Sequence, residues 1–166
     1  MTKFLLAVHV LAAILAVGPV AVAASMFPPV ARRALAAPVP VPGTGTSAST
    51  ADAGADAGAP GALRLLHRIC RVYALVGVVV PVFGFATARQ LGVLGSPWLV
   101  VSIVLTVLAA VVLGAFVLPA QSALLEGSAD RAGATARLAM YTGLFNLLWA
   151  TVTVLMIVRP GSTTGA

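Results

Sequence analysis

The fold predicted for this chain is all-α, an integral membrane four-helix bundle, on three grounds. The chain is 60% hydrophobic and only 8% charged, whereas soluble globular domains are about 25% charged. Its mean hydropathy of +1.07 is concentrated in four apolar runs, each meeting the roughly 17–25 residues that cross a hydrocarbon core as helix. The runs are continuous rather than alternating, so their backbone polar groups are satisfied within each segment, as in helices and not in barrel strands. The expected organisation is a single membrane domain over 1–166, with spans at 4–31, 64–88, 97–120 and 136–158 and a disordered linker at 32–63.

The first run, "FLLAVHVLAAILAVGPVAVAAS", has features of a secretory signal: Lys3 before it, an apolar stretch to Val17, and Val22-Ala23-Ala24 ahead of Ser25 as a small-residue cleavage site. Its apolar character nevertheless continues through Met26, Phe27 and Val30 and is closed by Arg32-Arg33, a stop-transfer pattern. A histidine at position 9 also has no purpose in a disposable segment. The expectation is an uncleaved first span, kinked near Gly18-Pro19, where neighbouring helices can re-satisfy the freed carbonyl.

The segment after it, "APVPVPGTGTSASTADAGADAGAPGA", contains no aromatic and no large aliphatic side chain beyond valine. It cannot bury enough apolar area to order itself, which is the basis of the linker expectation. The second span opens with "LRLLHRICRVY", where Arg64, Arg68 and Arg71 stand at i, i+4 and i+7 on one helix face. Such a cationic stripe suits anionic lipid headgroups. Before the third span, Ser96-Pro97-Trp98 supplies an N-cap, a proline at the first helical position and an interfacial tryptophan.

Four spans sort the loops into two sets. Arg32, Arg33, Arg64, Arg68, Arg71, Arg131 and Arg137 fall on one side, against Lys3, Arg89 and Arg159 on the other. The positive-inside rule then predicts the cytoplasmic membrane as location, with both termini extracytoplasmic. The basic residues are scattered at span ends without interleaved aromatics, so the formal charge of +6 does not describe a nucleic-acid surface.

Few side chains can carry chemistry. No acidic residue lies within a span, which disfavours a proton-coupled pump. The single cysteine, Cys70, leaves no disulfide and no metal-binding pair and is expected to pack. His9 is the strongest candidate site, because an ionisable group within a span is a functional hypothesis by default and requires a polar partner. Depth arithmetic at 1.5 Å per residue puts Ser102, Thr151 and Thr153 at its level, and Tyr73 with Asn146 near mid-depth, as a polar packing cluster. His67 falls on the arginine stripe and is expected to be interfacial. The same arithmetic separates the two histidines by roughly 25 Å, so one haem iron cannot bridge them within a chain.

The segments "KFLLAVHVLAAILAVGP", "LHRICRVYALVGVVVPVFGF" and "VLGAFVLPAQ" resemble the predicted integral membrane proteins of unknown function of high-GC bacteria. These are short four-span proteins whose layout is similar to the membrane part of copper-resistance D proteins. The resemblance implies fold and location, lends no activity, and carries only His9 across as a site. The expected role is a structural or accessory membrane component, not an enzyme, packing with a second copy or another membrane protein. The alternatives are a haem- or copper-handling protein centred on His9 and a small-solute permease.

Overall fold

The computed structural model describes residues 2–36, 50–127 and 131–160. Six α-helices follow one another: α1 (Thr2–Ala36), α2 (Thr50–Gly77), α3 (Val79–Leu91), α4 (Pro97–Val111), α5 (Leu118–Leu125) and α6 (Arg131–Val158). A π-helical segment, Val112–Val117, joins α4 to α5. They make four helices long and apolar enough to cross a membrane, over Lys3–Ala36, Pro60–Leu91, Pro97–Leu125 and Gly133–Val158. The fold is therefore the all-α bundle that the sequence predicts, with each candidate span reaching a few residues beyond its expected limits.

Part of the segment expected as a linker, 32–63, is helical. Residues 32–36 complete α1 and α2 begins at Thr50; residues 37–49 lie outside the described residues. The missing large side chains were one half of the matter. The other half is alanine, the strongest helix former, which recurs from Ala51 to Ala62.

Proline and glycine punctuate the spans. α1 remains helical through Pro19, Pro28 and Pro29. The second span breaks between α2 and α3 at Val78, whose N–H turns back to the Leu75 carbonyl at 3.2 Å, three residues before Pro81, which has no N–H to give to the Gly77 carbonyl. α3 ends at Gly92, whose φ of 68° is the left-handed conformation of a helix C-cap, and the Val93 N–H closes onto the Ala88 carbonyl at 3.2 Å. Ser96 caps α4 from an extended backbone, with Pro97 next as expected, although its side chain makes no capping bond. The π-helical segment sits just before Pro119, where the Ala115 carbonyl loses its i+4 partner.

The core occupies the half of the bundle that carries the arginine-rich ends. Val20, Ala23, Ala24, Phe27 and Ala31 of α1 share a face and pack with Cys70 of α2, Ala109 of α4, Val112, Leu113 and Val117 of the π segment, and Leu138 and Phe145 of α6. A separate small cluster at the other end joins Ala88, Trp98 and Leu99, with Val93 and Met156 against them. The large apolar side chains on the outer faces, such as Leu75, Val82, Leu147 and Ile157, are exposed, as a lipid-facing surface requires.

Candidate functional site

Between the two clusters the helices do not close. The first half of α1, α3, the start of α4 and the end of α6 line a cavity of about 1000 Å³ that is open on the lipid-facing side, where Val10, Phe85 and Ile103 are exposed, and that lies at the top of the size range of small-molecule sites. Its wall is mostly aliphatic and aromatic, including Val10, Phe85, Leu99, Ile103, Trp98 and Trp149, and its polar members are His9, Thr87, Thr106, Thr153 and Arg159.

His9 is held in this wall by two features of α3. Its Nδ1 lies 3.1 Å from the Val80 carbonyl oxygen. A carbonyl only accepts, so Nδ1 carries the proton, and Nε2 of the neutral ring keeps its lone pair. The imidazole also rests against Gly84: a Cβ there would lie 2.8 Å from Cε1 and 3.2 Å from Nδ1. Any other residue at 84 would push the ring off its seat. A histidine fixed through one nitrogen by a backbone carbonyl, with no hydrogen bond to the other among the described residues, is the arrangement of a metal-ligating or ligand-anchoring histidine.

Arg159 also lines this cavity. It follows the last turn of α6 with φ of 45°, a conformation that L residues other than glycine and asparagine seldom adopt. Its Nε donates to the Met156 carbonyl at 3.3 Å, and its guanidinium lies 5.9 Å from the Trp98 ring centroid. Both contacts, a cation on a helix C-terminus and a cation over an indole, help hold the strained backbone. Arg159 is the one residue with a permanent charge among those that line the cavity.

The expected polar cluster does not assemble around His9. The hydroxyls of Ser102, Thr106, Thr151 and Thr153 each donate to the carbonyl four residues earlier in their own helix, at 2.8, 2.7, 2.9 and 2.9 Å. This internal bond is the usual recourse of serine and threonine in a membrane helix. Thr153 does line the cavity beside His9, whereas Ser102 is buried in the bundle and Thr151 is exposed. Tyr73 and Asn146 do not pair either. Tyr73 packs against the main core, and the Asn146 amide donates to Ser25 Oγ at 3.0 Å. One turn apart on α6, Asn146 Oδ1 and Thr142 Oγ1 are buried without a hydrogen-bond partner among the described residues. Arg64, Arg68 and Arg71 are exposed, in keeping with the expected stripe.

His67, half-buried at the arginine-rich end of its span, also bonds inward. Its Nδ1 lies 3.0 Å from Gln121 Oε1, and the Gln121 amide nitrogen lies 3.6 Å from Cys70 Sγ. Gln121 is wholly buried. The residues that sequence reasoning missed are thus Gly84 and Gln121. Each had a signal: a lone glycine in an otherwise bulky "VPVFGFA", and a lone amide in "LPAQ" near a span end. The two histidines line different cavities, His9 in the half bearing the termini and His67 near the arginine-rich end. Among the described residues no group of three or more His, Cys, Asp or Glu could hold a metal ion.

Comparison of the chain with family models, with curated proteins and with solved structures finds no match, so the resemblance noted above is supported in its four-span layout and no family is identified.

Proposed function

We propose that this multi-pass protein is an accessory component of the cytoplasmic membrane that binds, without transforming, a small amphipathic molecule in the His9 cavity. The observation that carries this is the pairing of His9 and Arg159 in one apolar chamber of about 1000 Å³. An apolar ligand body would replace lipid against the aliphatic wall, a polar or metal centre would meet His9 Nε2, and an acidic group would reach Arg159. His9 provides an acceptor or ligand atom, and among the described residues that line the cavity none forms an activated nucleophile or an acid–base pair with it, which supports binding rather than catalysis.

Haem is a second candidate, favoured by one specific feature: Met156 lines the cavity with His9, and imidazole with thioether is a known axial pair. The carbonyl on His9 Nδ1 fits the outer shell of such a ligand, and Arg159 suits a propionate. Copper has less support, since Met26 and Met140 are exposed away from the cavity. The discriminating experiment is extraction of full-length protein in mild detergent, followed by a visible spectrum and identification of co-purified small molecules. A chromophore absent from His9→Ala selects haem, and a colourless organic ligand absent from His9→Ala selects the first proposal. Protein that carries nothing defeats both.

The excess of arginine at one end supports placing both termini outside the cytoplasm, and anionic headgroups are the proposed partners of Arg64 and Arg68. Labelling of single cysteines added at position 3 and next to Arg137 with an impermeant reagent in intact cells tests the orientation. Only the first site should react.

A further inference from the structure

A second pocket, of about 460 Å³, lies at the arginine-rich end between α2 and α5, lined by His67, Arg71, Leu118, Pro119 and Glu126 among others. We propose that it seats the headgroup of a zwitterionic phospholipid carrying a primary ammonium, with the phosphate on Arg71 and the ammonium on Glu126 and His67.

The polarity of each wall follows from its hydrogen bonds. Gln121 turns its amide nitrogen to Cys70 Sγ and therefore its oxygen to His67. The His67 Nδ1 must donate to that oxygen, which leaves Nε2 of the neutral ring as an acceptor. Glu126 is the C-cap residue of α5, so its carboxylate adds to the negative end of the helix that closes the third span. Both groups favour an N–H-bearing cation. Arg71 is one helical turn from His67 and provides the opposite sign, with the fork geometry that matches a phosphate. No direct ion pair joins Arg71 and Glu126 among the described residues, although both line one pocket. A zwitterion with its charges a few ångströms apart would satisfy both at once, whereas a purely anionic headgroup would meet Glu126 as a like charge. The apolar floor of Leu118 and Pro119 and the position at the end of two spans favour a lipid over a soluble phosphate ester. The arginines outside the pocket, Arg64 and Arg68, remain available to anionic lipid in general.

The test is native mass spectrometry of the full-length protein titrated with phosphatidylethanolamine, phosphatidylcholine and phosphatidylglycerol of matched acyl chains. Phosphatidylcholine keeps the net charge but has no ammonium N–H, so phosphatidylethanolamine should be retained about tenfold better. Glu126→Gln should reduce phosphatidylethanolamine to the phosphatidylcholine level while leaving phosphatidylglycerol unchanged or stronger, and Arg71→Gln should weaken both phosphatidylethanolamine and phosphatidylglycerol. Both substitutions are at exposed positions, and an unchanged thermal midpoint verifies that the fold survives them. Equal retention of phosphatidylethanolamine and phosphatidylcholine, or indifference to Glu126→Gln, would overturn the proposal. Displacement of the lipid by equimolar free phosphoethanolamine would overturn the lipid as its ligand.

Discussion

The two halves of this bundle are built from the same apolar residue types and yet differ in closure. In the arginine-rich half, small and large residues alternate along α1, so that Ala23, Ala24 and Ala31 admit neighbouring helices and Phe27 fills the space between them. In the other half α1 presents His9, Val10, Ala13 and Val17 to a gap, and the opposing wall, where aliphatics such as Leu99, Ile103 and Val152 alternate with Trp98, Thr106, Trp149 and Met156, does not close on it. Packing in lipid has no hydrophobic drive between helices and depends on close contact. The open half makes less of that contact and fixes a histidine at its gap, which is the basis for proposing that a ligand occupies it.

The comparison can be broken most decisively in the closed half. Phe27→Ala removes a fully buried ring from the main core and should cost about 3–5 kcal/mol, seen as the largest fall in thermal midpoint in detergent. Gln121→Leu strips His67 Nδ1 of its acceptor and should cost about 1–3 kcal/mol in the same assay. The open half should respond differently. Gly84→Ala forces the imidazole away, and the gain in helix propensity of about 0.5–1 kcal/mol offsets part of the clash, so ligand should be lost from purified protein with little change in midpoint. Thr151→Ala, whose hydroxyl is bonded within its own helix, should stay within about 0.5 kcal/mol of the parent and keep the ligand. A Thr151→Ala variant as damaged as Gly84→Ala would restore the polar cluster around His9 that the sequence suggested.

Much of the fold was legible because it depends on quantities local to each segment. Length and continuous apolarity define the four spans, and Ser96-Pro97 marks the start of α4 without reference to any neighbour. His9 was visible for a similar reason, since a histidine in an apolar run stands out. Its partners were not, because they follow from which faces meet. Depth arithmetic placed Ser102, Thr151 and Thr153 level with His9 but could not set their azimuth, and it ignored the carbonyl four residues back that each hydroxyl can reach without a neighbour. Val80 contributes only its backbone, which nothing in "VVVPVFGF" marks, and Gly84 only the absence of a side chain, which shows as a lone glycine without saying which ring rests there. The helical onset at Thr50 was obscured because alanine-rich sequence lacks the apolar periodicity by which helices are recognised.

The central claim is that the His9 cavity exists to be filled, and the most direct test is native mass spectrometry of C-terminally tagged protein released from membranes, comparing the parent with His9→Ala and Gly84→Ala. The account predicts a parent chain that retains residues 1–24 and carries a small-molecule mass absent from both folded variants. A chain beginning at Ser25, or a parent without added mass, or the same added mass in all three proteins, would contradict it.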